Sequence, residues 1–367
     1  MERPHNNEET VAPSYVAVHP ILRIAGQATM ADVMALPGGG YVAVGYSPPD
    51  WTPIAWTSAD GHAWQIHEVG ATEFTFPEAL AAGSEGTVVA VGRSGRSPMA
   101  WTTRDGVDWQ ANDVAMLGTD GTPERMTAVA AGAGIYVAGG SVGPELAERH
   151  ARFWISADGV TWQPAPDDPA AFADAEVRDI TTFGDGFVAV GVLGTAQEQT
   201  GAVAWTSPDG LTWARIRSPD LDGGIAAAVV QLPAGELVAV GTTVERREAV
   251  AWTSRDGSAW TRAPTEDSRL YPGYSARGGF VQMTDVAVVD GALIGVGVFQ
   301  GLQRGTATAW VSRDGIHWDQ ATSAPIQQQV ELYAVTAGGS GGPGAIAVGA
   351  FGAPDSYVPI VLVTPAR

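Results

Sequence analysis

One position in this chain gathers the groups best suited to acid–base or ligand chemistry. Seven equivalent apolar runs, recurring roughly every fifty residues, begin at Asp32, Glu78, Thr127, Asp179, Ala228, Asp285 and Tyr333, and four of the seven are carboxylates. If the runs surround a common axis, these side chains encircle one opening. Like charges that close raise one another's pKa or recruit a cation, which produces acid and base roles or a hard-metal site. Asp179 and Asp285 are the candidates for catalysis. A divalent cation at the ring is the cofactor this pattern would admit; no dedicated metal site is expected. Arg178, next to Asp179, is the ring's single counter-charge. The plain alternative is that the aspartates cap turns and face channel water.

Aromatic residues extend the candidate site. Trp51 lies beside Tyr46, Pro48 and Pro49 in a connecting segment, and the long stretch from Arg262 to Thr284 holds Arg269, Tyr271, Tyr274, Arg277 and Phe280. Long loops on a rigid scaffold are where binding residues concentrate. Asp32, Glu78, Asp179, Asp285 and Tyr333, with Trp51, Tyr271 and Arg178 above them, make a binding set suited to a mid-sized organic ligand. Otherwise these loops simply pack their own aromatics down.

The elements that would position this set are strands. Each opening run, such as Asp32 to Leu36, is followed by a Gly-rich turn and a second run ending in glycine: Tyr41 to Gly45, Val88 to Gly92, Tyr136 to Gly140, Phe187 to Gly191, Leu237 to Gly241, Leu293 to Gly297 and Ala345 to Gly349. A hairpin of the form Trp-x-Ser/Thr-x-Asp-Gly-x-x-Trp then recurs six times, from Trp56 to Trp64, Trp101 to Trp109, Trp154 to Trp162, Trp205 to Trp213, Trp252 to Trp260 and Trp310 to Trp318. Short β-branched runs bounded by Gly, Pro, Asp and Ser are strand signals, and no sustained helical periodicity appears. Four strands per repeat at this period predict an all-β, seven-bladed β-propeller of four-stranded antiparallel blades.

The last repeat lacks its fourth strand, because Pro359 to Thr364 matches the third and the chain ends at Arg367. Ser14 to Leu22 is expected to supply the missing outer strand and close the ring, hiding an edge that would otherwise template aggregation. Residues 1–13 are expected to be a disordered tail and 14–367 a single domain. Asp-Gly is a two-residue turn signal. With such a turn at Asp256 and Gly257, Thr253 pairs with Trp260, and each blade offers one indole to each neighbour; an odd-length turn puts both on one face.

The hairpin resembles the Asp-box, or bacterial-neuraminidase repeat, of sialidase-like propellers, a family that also includes photosystem II assembly factors and some polysaccharide-cleaving enzymes. The resemblance covers six of the seven blades, and it follows a shorter form in which Gly directly follows Asp, as in Asp60-Gly61. It implies that Asp60, Asp105, Asp158, Asp209, Asp256 and Asp314 are structural. The sialidase site does not carry over: its arginine triad begins in an Arg-Ile-Pro sequence, and the nearest match, Arg23-Ile24-Ala25, precedes the opening strand of the first blade.

Composition narrows the classes. A formal charge of −20 argues against nucleic acid and anionic membrane as partners. All twenty basic residues are arginine, the mark of a GC-rich genome of the actinobacterial kind. Zero cysteines exclude disulfides and thiolate chemistry. No apolar leader or eighteen-residue apolar run is present, so a soluble, cytoplasmic monomer is expected, or a secreted protein if a leader has been removed. Gly338 to Gly342 matches Gly-x-Ser-x-Gly but falls in a strand turn, and the six histidines show no metal-ligand spacing. Three functions remain: a small-molecule-binding propeller; an enzyme in the same pocket, either a carbohydrate-active hydrolase or lyase or a cyclase or related catalyst of secondary metabolism; and a protein-interaction scaffold.

Overall fold

A computed structural model describes residues 22–23, 26–70, 73–116, 121–144, 149–195, 198–245, 247–264, 280–300, 305–320, 330–339, 342–352 and 357–364. They form seven four-stranded antiparallel sheets. Six sheets are built from consecutive strands, the first being Thr29–Ala35, Tyr41–Ser47, Thr52–Ser58 and Gln65–Glu68. The first strands of neighbouring sheets lie against one another all the way round, so they line a central channel and the sheets radiate from it as blades. This is the seven-bladed propeller that the repeat implies.

Ring closure is where expected. The outer strand of blade 7 is Leu22–Arg23, which pairs with Val361 and Ile360 of Val358–Val363. Residues 14–21 and the tail 1–13 lie outside the described residues. Of the predicted stretch only Leu22 is among the described residues, and the described part of the closing strand runs on to Arg23.

The core lies between blades. A continuous run of apolar residues in each second strand, such as Val88 to Val91, is fully buried because both faces of the sheet meet a neighbour. Trp56, Trp101, Trp154, Trp205, Trp252 and Trp310 are likewise inaccessible. Each such indole removes a large apolar area from water, which makes the inter-blade seams the main source of stability.

The hairpin departs from the expected two-residue turn. Ser254 pairs with Trp260 and Trp252 with Arg262, which leaves five residues in the turn. An odd count puts both indoles on one face, and Trp252 and Trp260 both pack on blade 4, against Val188, Val190 and Ala204. Trp205 with Trp213 and Trp310 with Trp318 do the same on their preceding blades. No blade shares its pair between two neighbours.

The wider turn follows from the aspartate. Asp209 Oδ1 accepts the N–H groups of Leu211 and Thr212, Ser207 Oγ accepts that of Gly210, and Trp213 Nε1 donates to the Gly210 carbonyl. Satisfying two successive N–H groups with one carboxylate oxygen needs more backbone than a two-residue turn provides. Gly210 takes φ +76°, which favours glycine there.

Candidate functional site

The channel mouth is shaped by a β-bulge repeated in every inner strand. Registers shift between Met30 and Asp32, Pro77 and Ala79, Met126 and Ala128, Val177 and Asp179, Ala226 and Ala228, Met283 and Asp285, and Leu332 and Ala334. The conserved-length runs end in glycine for this reason. A Cβ on Gly191 would lie 1.9 Å from the carbonyl oxygen of Glu176, and one on Gly45 would lie 1.8 Å from that of Thr29. Only glycine lets the bulge close against the second strand.

The bulge corrects the sequence alignment. Inner strands begin before the expected residues, at Thr29 rather than Asp32 in blade 1. Glu78, Thr127 and Tyr333 are bulged residues, whereas Asp32, Asp179, Ala228 and Asp285 each follow a bulge. Two tiers therefore replace one ring. The bulged tier reads Ala31, Glu78, Thr127, Arg178, Ala227, Thr284 and Tyr333; the tier below it reads Asp32, Ala79, Ala128, Asp179, Ala228, Asp285 and Ala334.

The lower tier is structural in its bonding. Asp32 Oδ1 accepts from Val33 N–H and Oδ2 from Leu80 N–H on the next blade, at 2.6 and 2.7 Å. Asp179 joins Ile180 to Val229 of blade 5, and Asp285 joins Val286 to Val335 of blade 7, in the same way. Three aspartates thus bracket three seams. Thr127 and Thr284 make analogous links, donating to the carbonyls of Val177 and Leu332.

Burial pushes the Asp32 carboxyl up to about 6 and the Asp179 carboxyl up to about 7, each offset in part by the two backbone N–H donors. Asp285 is raised well above the usual range, first by burial and then by the charges of Asp179 and Asp32. Such values suit proton transfer at neutral pH. Both oxygens of each group are nevertheless engaged by backbone. Among the described residues there is no cluster of three or more His, Asp or Glu able to hold a metal ion.

Above this tier the rim is rich in arginine over blades 2 to 4. The buried Glu176 carboxylate is held by Arg125 and Arg149, with Arg178 at 3.5 Å. Burial alone would raise its pKa, but Arg178, Arg125 and Arg149 together bring it below the usual value. Glu78 is 4.0 Å from Arg93 and feels Arg125 and Arg178 as well, yet burial keeps its pKa raised. Arg178 is therefore one of four arginines around two glutamates, rather than a lone counter-charge. Its Nε is buried with no hydrogen-bond partner among the described residues.

Trp51 packs as part of a cluster. Its ring lies 5.6 Å from Tyr46 and 5.9 Å from Phe76, and the Arg93 guanidinium sits 4.2 Å over Phe76. Trp51 adopts φ +55°, in the left-handed region. On the far side of blade 1, Tyr333 Oη donates to Glu331 Oε2 at 2.6 Å, and burial with that bond raises the phenol pKa. Tyr271, with Arg269, Tyr274 and Arg277, lies outside the described residues.

The structure brings Glu78, Arg178, Trp51 and Tyr333 to the rim and sets Asp32, Asp179 and Asp285 beneath it. Sequence reasoning missed Arg93, Arg125, Arg149 and Glu176. Two of them have a signal in hindsight: Arg125 and Glu176 both stand two residues before the bulged residue of an inner strand. Arg149 has none, because it approaches Glu176 from a neighbouring blade.

No protein-family model matches this chain, and no curated sequence matches it. Solved structures do. One, described as YCF48 bound to D1 peptide, aligns over 95% of this chain and 97% of its own with TM-score 0.58 at 14% identity. The WD40 β-propeller domain of Doa1 aligns over 94% and 95% with TM-score 0.55 at 12% identity. A Trypanosoma rangeli sialidase aligns over 93% of this chain and 55% of its own, with TM-score 0.51 at 10% identity, so this chain spans about half that enzyme. At these identities the likeness is one of fold. Among the described residues no helix is long and apolar enough to cross a membrane.

Proposed function

We propose that this propeller binds a small organic acid over the channel mouth, with Arg178 and Arg93 holding the carboxylate and the Tyr46, Trp51 and Phe76 cluster flanking it. One observation carries the reading: a chain of net charge −20 gathers four of its twenty arginines in one sector of the rim. A planar guanidinium pairs with a carboxylate in bidentate fashion. The rim thus favours an anionic ligand over the cationic one that a carboxylate ring alone would suggest. The Asp-box resemblance and the sialidase-like and peptide-bound neighbours are compatible with binding on a propeller face, but none assigns a ligand.

Calorimetric titration with a panel of mono- and dicarboxylic acids tests this. Saturable binding without turnover, weakened about tenfold or more in Arg178→Gln, supports it. Equal affinity in both proteins, or retention of only a protein partner by both, overturns it. The near-neutral Asp179 carboxyl favours a second reading, catalysis at the same mouth. In that case Asp179→Asn abolishes turnover while binding persists.

A further inference from the structure

A separate cavity of about 380 Å³ opens on the channel-mouth face at blades 4 to 6. Gln199, Arg247, Phe280 and Gln282 line it, with Glu198 at its edge and Ile225 in its wall. Its charges are uncommitted. Arg247 and Glu198 are exposed, and among the described residues neither side chain makes an ion pair or a hydrogen bond. The guanidinium of Arg247 rests 5.7 Å from the Phe280 ring.

The backbone presents Arg247 deliberately. Its φ is +52°, unfavourable for a side chain larger than glycine, and it is held there by its N–H on the Thr243 carbonyl and by its own carbonyl accepting from Val281 N–H. Phe280 opens the next inner strand, Phe280–Val289, so cation and ring arrive from two different blades. One cation, one anion, two neutral amides and an aromatic wall are the complement of a zwitterion with an apolar side chain.

We propose that this cavity binds a free apolar or aromatic α-amino acid. Arg247 takes the carboxylate as a fork, Glu198 takes the ammonium, and the side chain lies on Phe280 and Ile225. Gln199 and Gln282 supply both donors and acceptors for the remaining polar atoms. A pocket of this size falls at the lower end of the range for small-molecule sites, which excludes a polymer chain lying within it. The site uses neither Arg93 nor Arg178, so it stands independently of the rim site.

The test is calorimetric titration of the whole protein, carrying Arg178→Gln to weaken the rim site, with leucine, phenylalanine and tryptophan, beside phenethylamine and 3-phenylpropionate as partners lacking one charge each. Saturable binding of at least one amino acid is expected, with phenethylamine and 3-phenylpropionate each about tenfold weaker or more than phenylalanine. In that background Arg247→Gln and Glu198→Gln should each lose a similar factor, with circular dichroism unchanged because both side chains are exposed. Absence of saturable binding by all three amino acids overturns the proposal. So does equal affinity for phenylalanine and either analogue, or full affinity in Arg247→Gln.

Discussion

Two rings of this molecule are built on the same repeat and have diverged in opposite ways. On one face, six hairpins repeat the same bonds: aspartate to two N–H groups, Ser or Thr to glycine N–H, and indole to glycine carbonyl. At the channel mouth, seven equivalent bulges carry alanine, glutamate, threonine, arginine, alanine, threonine and tyrosine. Packing explains the contrast. A hairpin indole must fit a fully enclosed seam, where a change of even one methylene is felt. A bulged residue is partly exposed in every blade, so close packing does not fix its size even where, as at Thr127 and Thr284, it bonds to the next blade. Uniformity marks what holds the ring together, and variety marks where chemistry has room.

The contrast breaks most visibly at Glu176, a rim residue with only 2% of its side chain exposed. Glu176→Gln removes the buried carboxylate from beside Arg125, Arg149 and Arg178, and a loss of about 3–5 kcal/mol is expected in urea unfolding. A loss below about 1 kcal/mol would mean the rim carries surface charge only and contributes nothing to the fold.

The pH profile separates the two tiers of the channel. Asp32, Asp179 and Asp285 hold their protons in the fold beyond the pH at which the unfolded chain releases them, near the ordinary value of 3.8. Their contribution is therefore full in acid and is lost as pH rises, for Asp32 and Asp179 through about 6 and about 7 respectively. Glu176 acts oppositely, since its lowered pKa makes stability fall as pH drops below the usual 4.5. Melting temperature followed from pH 4 to 8 should decline on the neutral side, and Asp179→Asn should flatten that decline. An unchanged slope would show that the bracket is not protonated near neutrality.

Within the hairpin ring itself, two indoles differ from their equivalents. Trp205 Nε1 donates to the Ala171 carbonyl in the one-turn helix Pro169–Phe172, and Trp252 Nε1 to that of Asp220 in the turn Pro219–Leu221. Trp154 Nε1 is buried with no partner among the described residues. Trp205→Phe should therefore cost about 1 kcal/mol more than Trp154→Phe, measured by denaturant midpoint. Equal costs would remove the helix from the account.

The smallest effect tests uniformity. Asp105→Ala, Asp158→Ala and Asp209→Ala each remove the acceptor of two exposed N–H groups that water can take over, so each should cost about 1 kcal/mol or less. The three values should agree within about 0.5 kcal/mol, the scatter of independent sites.

Much of the architecture was legible because it is written in local rules. Seven glycine-ended runs and six tryptophan hairpins determined strand number, blade number and the absence of helical layers, since β-strand patterning and turn chemistry act over a few residues. The glycines even marked the bulges, although their cause, a carbonyl oxygen pressed against the Cα, is visible only in the pairing of strands. What tertiary structure alone decided lies across seams. Which face receives both indoles turned on whether the loop held two residues or five. Asp32, Asp179 and Asp285 became brackets because their oxygens reach N–H groups about fifty residues away, and Glu176 gathered arginines from separate strands. Sequence periodicity assigns residues to a ring; only closure of the ring, by burying some of those residues against a neighbour and leaving others open to the channel, settles which of them hold the fold and which are free to bind.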